Sequence, residues 1–253
     1  MVLKKIQIKE MFDENQLKSR LRKVRLKGFP DVRIYEDANI SIRPFTPQKI
    51  KQNIFTPQPT VYRRGYLDRV ETMEKLFQDK EIDPFNLKGG IDYVAVDENG
   101  EETEWTLIPP VIEMIPVVFD GLGLNYSELL SPELREKIKA EGHRLNADVR
   151  ELAYNEYIMG MQTIPLICDG SHRIHSNLEK GVTQNLLVID GPKKGFPYYA
   201  APKPYSEVHV EDERPKGGGK DKIHVLTEPG HKLLYRLFPT GGILSGTVRP
   251  GKK

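Results

Sequence analysis

Cysteine is nearly absent from this chain, which has one, Cys168, in 253 residues. A single cysteine excludes an internal disulfide and any metal site built from several cysteines, and it is typical of reducing, intracellular compartments. Long apolar runs are also absent: none approaches the roughly 20 residues that a membrane-spanning helix needs, and no apolar segment follows the first lysines as it does in a secretory leader. We therefore expect a soluble, cytoplasmic protein.

Excess charge of either sign is missing too. Lys and Arg number 38 and Asp and Glu number 36, which gives a net charge of +2. The molecule as a whole is therefore not a polycation. Its length is sufficient for a sizeable core, in one large or two small domains.

Basic residues are nevertheless concentrated at the N-terminus. Residues 1–28 carry three acidic side chains against Lys4, Lys5, Lys9, Lys18, Arg20, Arg22, Lys23, Arg25 and Lys27. A basic arm of this kind is expected to contact nucleic acid or another polyanion. The alternative is a helix that docks through Leu17, Leu21 and Val24 and leaves its basic residues solvated.

The segment Thr163–Asp190 predicts a strand, a turn, a short helix and a second strand. Its turn consists of Asp169, Gly170, Ser171, His172 and Arg173, and Gly181 ends the predicted helix. We call these five turn residues the box. The start of a helix, a glycine and a guanidinium together suit a bound phosphate. A nucleotide is the obvious ligand.

The box resembles that of the ParB/sulfiredoxin superfamily. Gly170-Ser171-His172-Arg173 is similar to the Gly-Cys-His-Arg of sulfiredoxin, and with Asp169 it is similar to the Asp-Gly-His-His-Arg of free serine kinases, whereas ParB proteins carry Gly-Glu-Arg-Arg. The resemblance covers Pro109–Asp190. It implies an α+β fold, a mixed sheet with packed helices, to which this chain adds N- and C-terminal extensions. Because Ser171 replaces the cysteine of sulfiredoxin, repair of oxidised cysteine by that route is not expected.

The resemblance also implies roles for the box. Gly170, Ser171, His172 and Arg173 would hold ATP or another nucleotide by its phosphates. His172 would bind a phosphate or act as an acid, and Asp169 would position Mg²⁺ or accept a proton. Substitution of Arg173 by Ala would then abolish nucleotide binding and leave the fold intact.

Glu113 is a lone carboxylate within Pro109–Phe119, the predicted first core strand. By its resemblance in position to an acidic residue of the free serine kinases, Glu113 is a candidate catalytic base. The alternative is a glutamate that faces outward at a sheet edge.

A second cationic cluster is predicted near the C-terminus. His231, Lys232, Tyr235 and Arg236 share one face of a helix at their spacing, and His231, Lys232 and Arg236 could receive phosphate, substrate or nucleic acid. In the alternative, the neighbouring leucines and Phe238 form the buried face and the basic residues are its solvated side.

Other patterns give further elements and four segments. An amphipathic helix is predicted at Tyr66–Gln78, a hairpin at Ile91–Val96 with Glu104–Ile108, and helices beginning at Ser131 and over Asn146–Met159. The segments are a basic arm (1–28), a helix and hairpin region (29–104), a ParB/sulfiredoxin-like core (105–190) and a C-terminal extension (191–253).

Two functions from different classes follow. The first is a nucleotide-dependent phosphotransferase (a kinase) or NTPase that holds phosphates at Gly170–Arg173. The alternative is a ParB-like nucleic-acid-binding protein or nuclease that uses the basic arm and the C-terminal cations. A third interpretation is a scaffold that has lost its chemistry.

Overall fold

The computed structural model describes residues 3–56, 60–119, 131–140, 160–193, 203–213 and 234–239. Its helices are α1 (Glu14–Leu21), α2 (Pro47–Asn53), α3 (Asp68–Gln78), α4 (Pro132–Ala140) and α5 (Ser171–Glu179). Its strands are β1 (Leu3–Asp13), β2 (Arg25–Leu26), β3 (Phe29–Arg33), β4 (Asn39–Phe45), β5 (Phe55–Thr56), β6 (Thr60–Tyr62), β7 (Gly89–Asp97), β8 (Glu102–Leu107), β9 (Val111–Phe119), β10 (Gly160–Asp169), β11 (Gln184–Asp190), β12 (Lys203–Pro204), β13 (His209–Glu211) and β14 (Arg236–Leu237).

The central sheet has six strands in the order β12-β5-β10-β9-β11-β4. It is mixed, because β11 runs parallel to β9 and β5 parallel to β10, while β9 and β10 are antiparallel. Helix α5 connects β10 to β11. The predicted α+β class and the mixed sheet are therefore confirmed. The six strands of the central sheet come from three of the four predicted segments, 29–104, 105–190 and 191–253.

Each face of the central sheet is covered by different elements. Along β9, Val111 and Ile115 belong to one apolar cluster, together with residues of α1, β2 and the segment 234–239. Ile112, between them, belongs to another cluster, together with residues of α2 and α5. Side chains alternate between the faces of a strand, so α1 and α5 lie on opposite sides of the sheet.

A separate three-stranded sheet, in the order β1-β7-β8, lies in the N-terminal half of the chain. The predicted hairpin is confirmed as β7 and β8, which pair antiparallel, and β1 adds to the other edge of β7. Helix α3 packs its buried Met73 and Phe77 on this sheet. The predicted amphipathic helix is confirmed from Asp68 onward, and a kinked turn at Arg63–Leu67, with non-helical backbone at Arg64 and Gly65, precedes it.

Residues 3–28 form structure that packs on the domain. Leu17, Leu21 and Val24 are fully buried, which confirms the docking alternative. A capping box at Asp13 begins α1, since Asp13 accepts from the Gln16 amide and Gln16 reaches back. Residues 3–28 therefore belong to the folded domain, as β1, α1 and β2.

Two predicted helices near the middle have different outcomes. Helix α4 begins at Pro132, directly after Ser131, as predicted. The prediction for Asn146–Met159 lies outside the described residues. Within the part of the chain that the structure describes, no helix is long and apolar enough to cross a membrane.

Candidate functional site

The box lies where the sequence predicts it, between β10 and α5. Gly170 is the N-cap of α5 and has a φ of 83°, a left-handed conformation that favours glycine. No side chain caps this helix start. A Cβ atom at Gly170 would lie 2.7 Å from Cβ of Pro110, so the space beside this glycine is already occupied. The predicted order of strand, turn, helix and strand is confirmed.

Arg173 points into the protein. Its side chain is 3% exposed, its Nη1 donates to the Ile108 carbonyl at 2.6 Å, and its Nη2 lies 3.6 Å from Oδ2 of Asp169. Burial lowers the pKa of Arg173, while Asp169 opposes that shift. Removing this side chain would leave a buried carbonyl and carboxylate without their partner. We therefore expect Arg173→Ala to destabilise the fold, in contrast to the expectation from the sequence.

Asp169 is as deeply buried as Arg173, with a side chain 1% exposed. Burial raises the pKa of its carboxyl group, although Arg173 and the Gly170 amide favour the charged form. Among the residues that the structure describes, no group of three or more His, Cys, Asp and Glu could hold a metal ion. A single buried carboxylate that faces a guanidinium does not fit the oxygen ligands that Mg²⁺ requires.

His172 packs against Tyr66, whereas its neighbour Arg173 points into the protein. The two rings stack with centroids 4.8 Å apart and planes 19° apart. Burial, and then the neighbouring His175, lower the pKa of His172 to about 4, so the imidazole is neutral near pH 7. It therefore brings no positive charge to a phosphate at that pH. Ser171, the first residue of α5, is half-buried, with its Oγ 3.5 Å from Nδ1 of His172.

Glu113 does not join the box. It alternates with Ile112 on β9, so it faces the side of the sheet opposite to α5. It is completely buried and accepts two hydrogen bonds from Arg236, each 2.9 Å long, and one from the hydroxyl of Tyr35. The prediction of an outward-facing edge glutamate is wrong, and the ion pair argues against a role as catalytic base.

Arg236 is a core residue. Its side chain is 1% exposed, it donates to the Leu234 carbonyl as well as to Glu113, and it lies on a short strand. A helix with an exposed cationic face is therefore the wrong prediction for residues 234–239. A buried, paired guanidinium cannot contact nucleic acid. His231 and Lys232 lie outside the described residues.

Basic residues remain exposed after α1. We call Arg22, Lys23, Arg25, Lys27 and Arg33 the basic ridge. All five are exposed, because Val24 and Leu26 take the inward positions of this stretch. Arg25 and Arg33 are directly opposite each other in the antiparallel pair of β2 and β3. Among the described residues, only Arg33 of the ridge has a carboxylate partner, Glu36 at 3.2 Å.

Several other basic residues of the first 28 have carboxylate partners. Lys9 pairs with Glu104, Lys18 with Glu14, and Arg20 with Glu10 and Asp92. The sequence predicts the local excess of positive charge, but these partners include residues about 70 to 95 positions away. Only the structure therefore separates the ridge from its paired neighbours.

A second exposed group lies in the turn that precedes α3 and in the first turn of α3 itself. Arg63, Arg64, Tyr66 and Arg69 are all exposed, and Tyr66 is 37% exposed. We call these four residues the tyrosine surface. The apolar spacing of the sequence predicts Tyr66 only as the first residue of a helix. The run of two arginines, a glycine and a tyrosine at 63–66 was the available signal.

One family model matches the chain. It is described as "ParB CE domain" and covers residues 16–121, less than half of the sequence. The match supports assignment to a ParB-like superfamily. It includes the basic ridge and the tyrosine surface, but it ends before the box. The resemblance to the ParB/sulfiredoxin superfamily covers Pro109–Asp190 and overlaps the family match only at residues 109–121. No curated protein and no solved structure matches the chain.

Proposed function

We propose that this protein is a ParB-like nucleic-acid-binding protein that holds the phosphate backbone on the basic ridge. The observation that carries the proposal is the group of four exposed cations, Arg22, Lys23, Arg25 and Lys27, without a carboxylate partner among the described residues. The ParB-like match over residues 16–121 supports the same function.

The pairing of β2 with β3 adds a second argument. Like charges directly opposite each other in an antiparallel pair destabilise a sheet, and here Arg25 faces Arg33. A bound polyanion would remove that repulsion. Phosphates are the natural counter-charge, because guanidinium groups bind them in bidentate geometry.

Substitution at the ridge tests the proposal. We expect the double variant Arg25→Gln, Lys27→Gln to bind a labelled duplex more weakly than the wild type at low salt. The logarithm of the binding constant should also fall less steeply with the logarithm of salt concentration, by about 2 in slope for two lost phosphate contacts. Fluorescence anisotropy across a salt series measures both quantities.

A matched control separates a local contact from general charge. Lys75 and Lys80 are exposed, on or just after α3, and the double variant Lys75→Gln, Lys80→Gln removes the same charge. This control should keep the wild-type slope. Equal slopes for the wild type and the ridge variant, or no duplex binding by the wild type at low salt, would refute the proposal.

A nucleotide phosphate at the start of α5 is a second candidate function. Two observations favour it: the helix start has no side-chain cap, and the Arg173 guanidinium lies beside Gly170 with its Nε atom buried and without a hydrogen-bond partner in the described structure. Amide groups at a helix start bind anions well. ATP or a related nucleotide remains the proposed ligand, with a kinase or NTPase activity as its implication.

Ser171 allows a test that leaves Arg173 in place. Ser171→Asp puts a carboxylate at the first position of α5, where it stabilises the helix but repels a phosphate. Calorimetric titration with ATP, ADP, CTP and GTP should show binding that Ser171→Asp loses and Ser171→Asn keeps. Failure of the wild type to bind any of the four would eliminate this candidate.

A further inference from the structure

We propose that the tyrosine surface is a base-stacking site, which makes single-stranded nucleic acid the preferred ligand. The inference rests on the proposed function, since it adds a second nucleic-acid contact to that of the basic ridge, on the side of the central sheet that carries α5. It concerns Arg63, Arg64, Tyr66 and Arg69, none of which belongs to the box or to the ridge.

The ring of Tyr66 packs against two other rings although it is partly exposed. His172 stacks on its ring at 4.8 Å, and the ring of Tyr62 lies 6.0 Å away at 47°. An exposed aromatic ring that is already fixed in place loses little conformational freedom on binding. A base could therefore extend the stack of His172 and Tyr66 at a low entropic cost.

The turn that carries Tyr66 is anchored at both ends. The Arg64 amide donates to the Asp212 carbonyl at 2.9 Å, and Leu67 is buried. Gly65 adopts a φ of 76°, and a Cβ atom there would meet nothing within 4 Å. The backbone at Gly65 is therefore accessible, and a single strand of nucleic acid can approach it beside Tyr66.

Three guanidinium groups flank the ring in sequence and supply contacts for phosphates. Arg69 is exposed and has no ion-pair partner among the described residues. Arg63 lies 3.5 Å from Glu179, and Arg64 pairs with Glu213, but all four of these side chains are more than 40% exposed. Exposed ion pairs of this kind contribute little, so both arginines can exchange a carboxylate for a phosphate.

An exposed ring between arginines favours one ligand chemistry. A duplex presents phosphates but keeps its bases stacked on each other, whereas a single strand offers both phosphates and free base faces. The ridge needs only phosphates. A preference for single strands over duplexes therefore distinguishes the tyrosine surface from the ridge.

Three labelled ligands of equal length test the inference: a mixed-sequence single strand, the same strand with abasic sites, and the duplex. The wild type should bind the single strand about tenfold more tightly than its abasic counterpart, as is typical of stacking on one aromatic residue. Tyr66→Ala should lose that difference, and Tyr66→Trp should keep it. Met11→Ala is the matched control, because Met11 is exposed on another element.

Each failure has its own pattern. Equal binding of the base-containing and abasic strands by the wild type, with salt dependence retained, would overturn the stacking site and leave the ridge. The same conclusion follows if Tyr66→Ala keeps the full difference. Loss of the difference in Tyr66→Ala, with unchanged binding by Arg25→Gln, Lys27→Gln, would support stacking and overturn the ridge. No binding of any ligand at low salt would overturn both.

Discussion

Burial changes the role of single charged residues in this protein. Glu113 and Arg236 are separated by 123 positions in the chain and form a completely buried ion pair. Neither pattern nor spacing predicts such a partnership, because it depends on the final packing of the segment 234–239 against β9. The sequence therefore predicts Glu113 as a catalytic base or an outward-facing edge residue, and Arg236 as part of a cationic helix face, but not the two as a buried pair.

The buried pair predicts a specific pattern of stability. Arg236→Met would leave the Glu113 carboxylate buried without its cation, which typically costs about 3–5 kcal/mol. The double variant Glu113→Gln, Arg236→Met removes both charges and should be more stable than Arg236→Met alone. Urea unfolding of the four proteins measures this coupling. If the loss in the free energy of unfolding of the double variant equals the sum of the losses in the two single variants, the coupling of Glu113 and Arg236 is contradicted.

His172 predicts a dependence of stability on pH. Its pKa is lowered from 6.5 to about 4 in the folded protein, so between those values the unfolded chain binds more protons. The free energy of unfolding should therefore fall as the pH drops from 6.5 toward 4, by on the order of 2 kcal/mol from this residue.

His172→Phe is the matched variant for this pH effect. Phenylalanine keeps an aromatic ring against Tyr66 but cannot be protonated. Urea unfolding at pH 7.5 and pH 5 should show a smaller loss of stability in His172→Phe than in the wild type. Because His175 is present in both proteins and interacts with His172, the difference between them measures His172 together with its interaction with His175. Equal losses would contradict the assignment.

Helices and strands were largely predictable where their signals are local. The segment β10, α5 and β11 follows from apolar runs interrupted by two glycines, and β7 with β8 follows from a turn between apolar strands. The pairing of β1 with β7 joins residues about 80 or more positions apart, and the strand at Arg236–Leu237 exists because it pairs with β2. Such contacts have no local signal.

The two glycines that bound α5 provide a matched test of this element. Both have a positive φ, 83° at Gly170 and 68° at Gly181, but only at Gly170 would a Cβ atom meet a close neighbour. Gly181→Ala should cost about 1 kcal/mol for the left-handed backbone. Gly170→Ala adds an overpacking cost and should lose about 3 kcal/mol. Equal losses in urea unfolding would contradict this description of the turn.

For the whole molecule, the distribution of charge matters more than its sum. Net charge is only +2, yet Lys9, Lys18 and Arg20 pair with carboxylates, whereas four residues of the basic ridge have no carboxylate partner among the described residues. The sequence predicted the basic N-terminal region and the helix that docks it. It could not predict which cations keep their charge available, because their partners come from distant strands.

Duplex affinity measured over a series of salt concentrations is the most direct test of nucleic-acid binding at the basic ridge. We expect the protein to bind duplex at low salt, with an affinity that falls steeply as salt rises. The slope of the logarithm of the binding constant against the logarithm of salt concentration should be smaller by about 2 for Arg25→Gln, Lys27→Gln and unchanged for Lys75→Gln, Lys80→Gln. Binding that does not depend on salt, or a ridge variant with the wild-type slope, would contradict it.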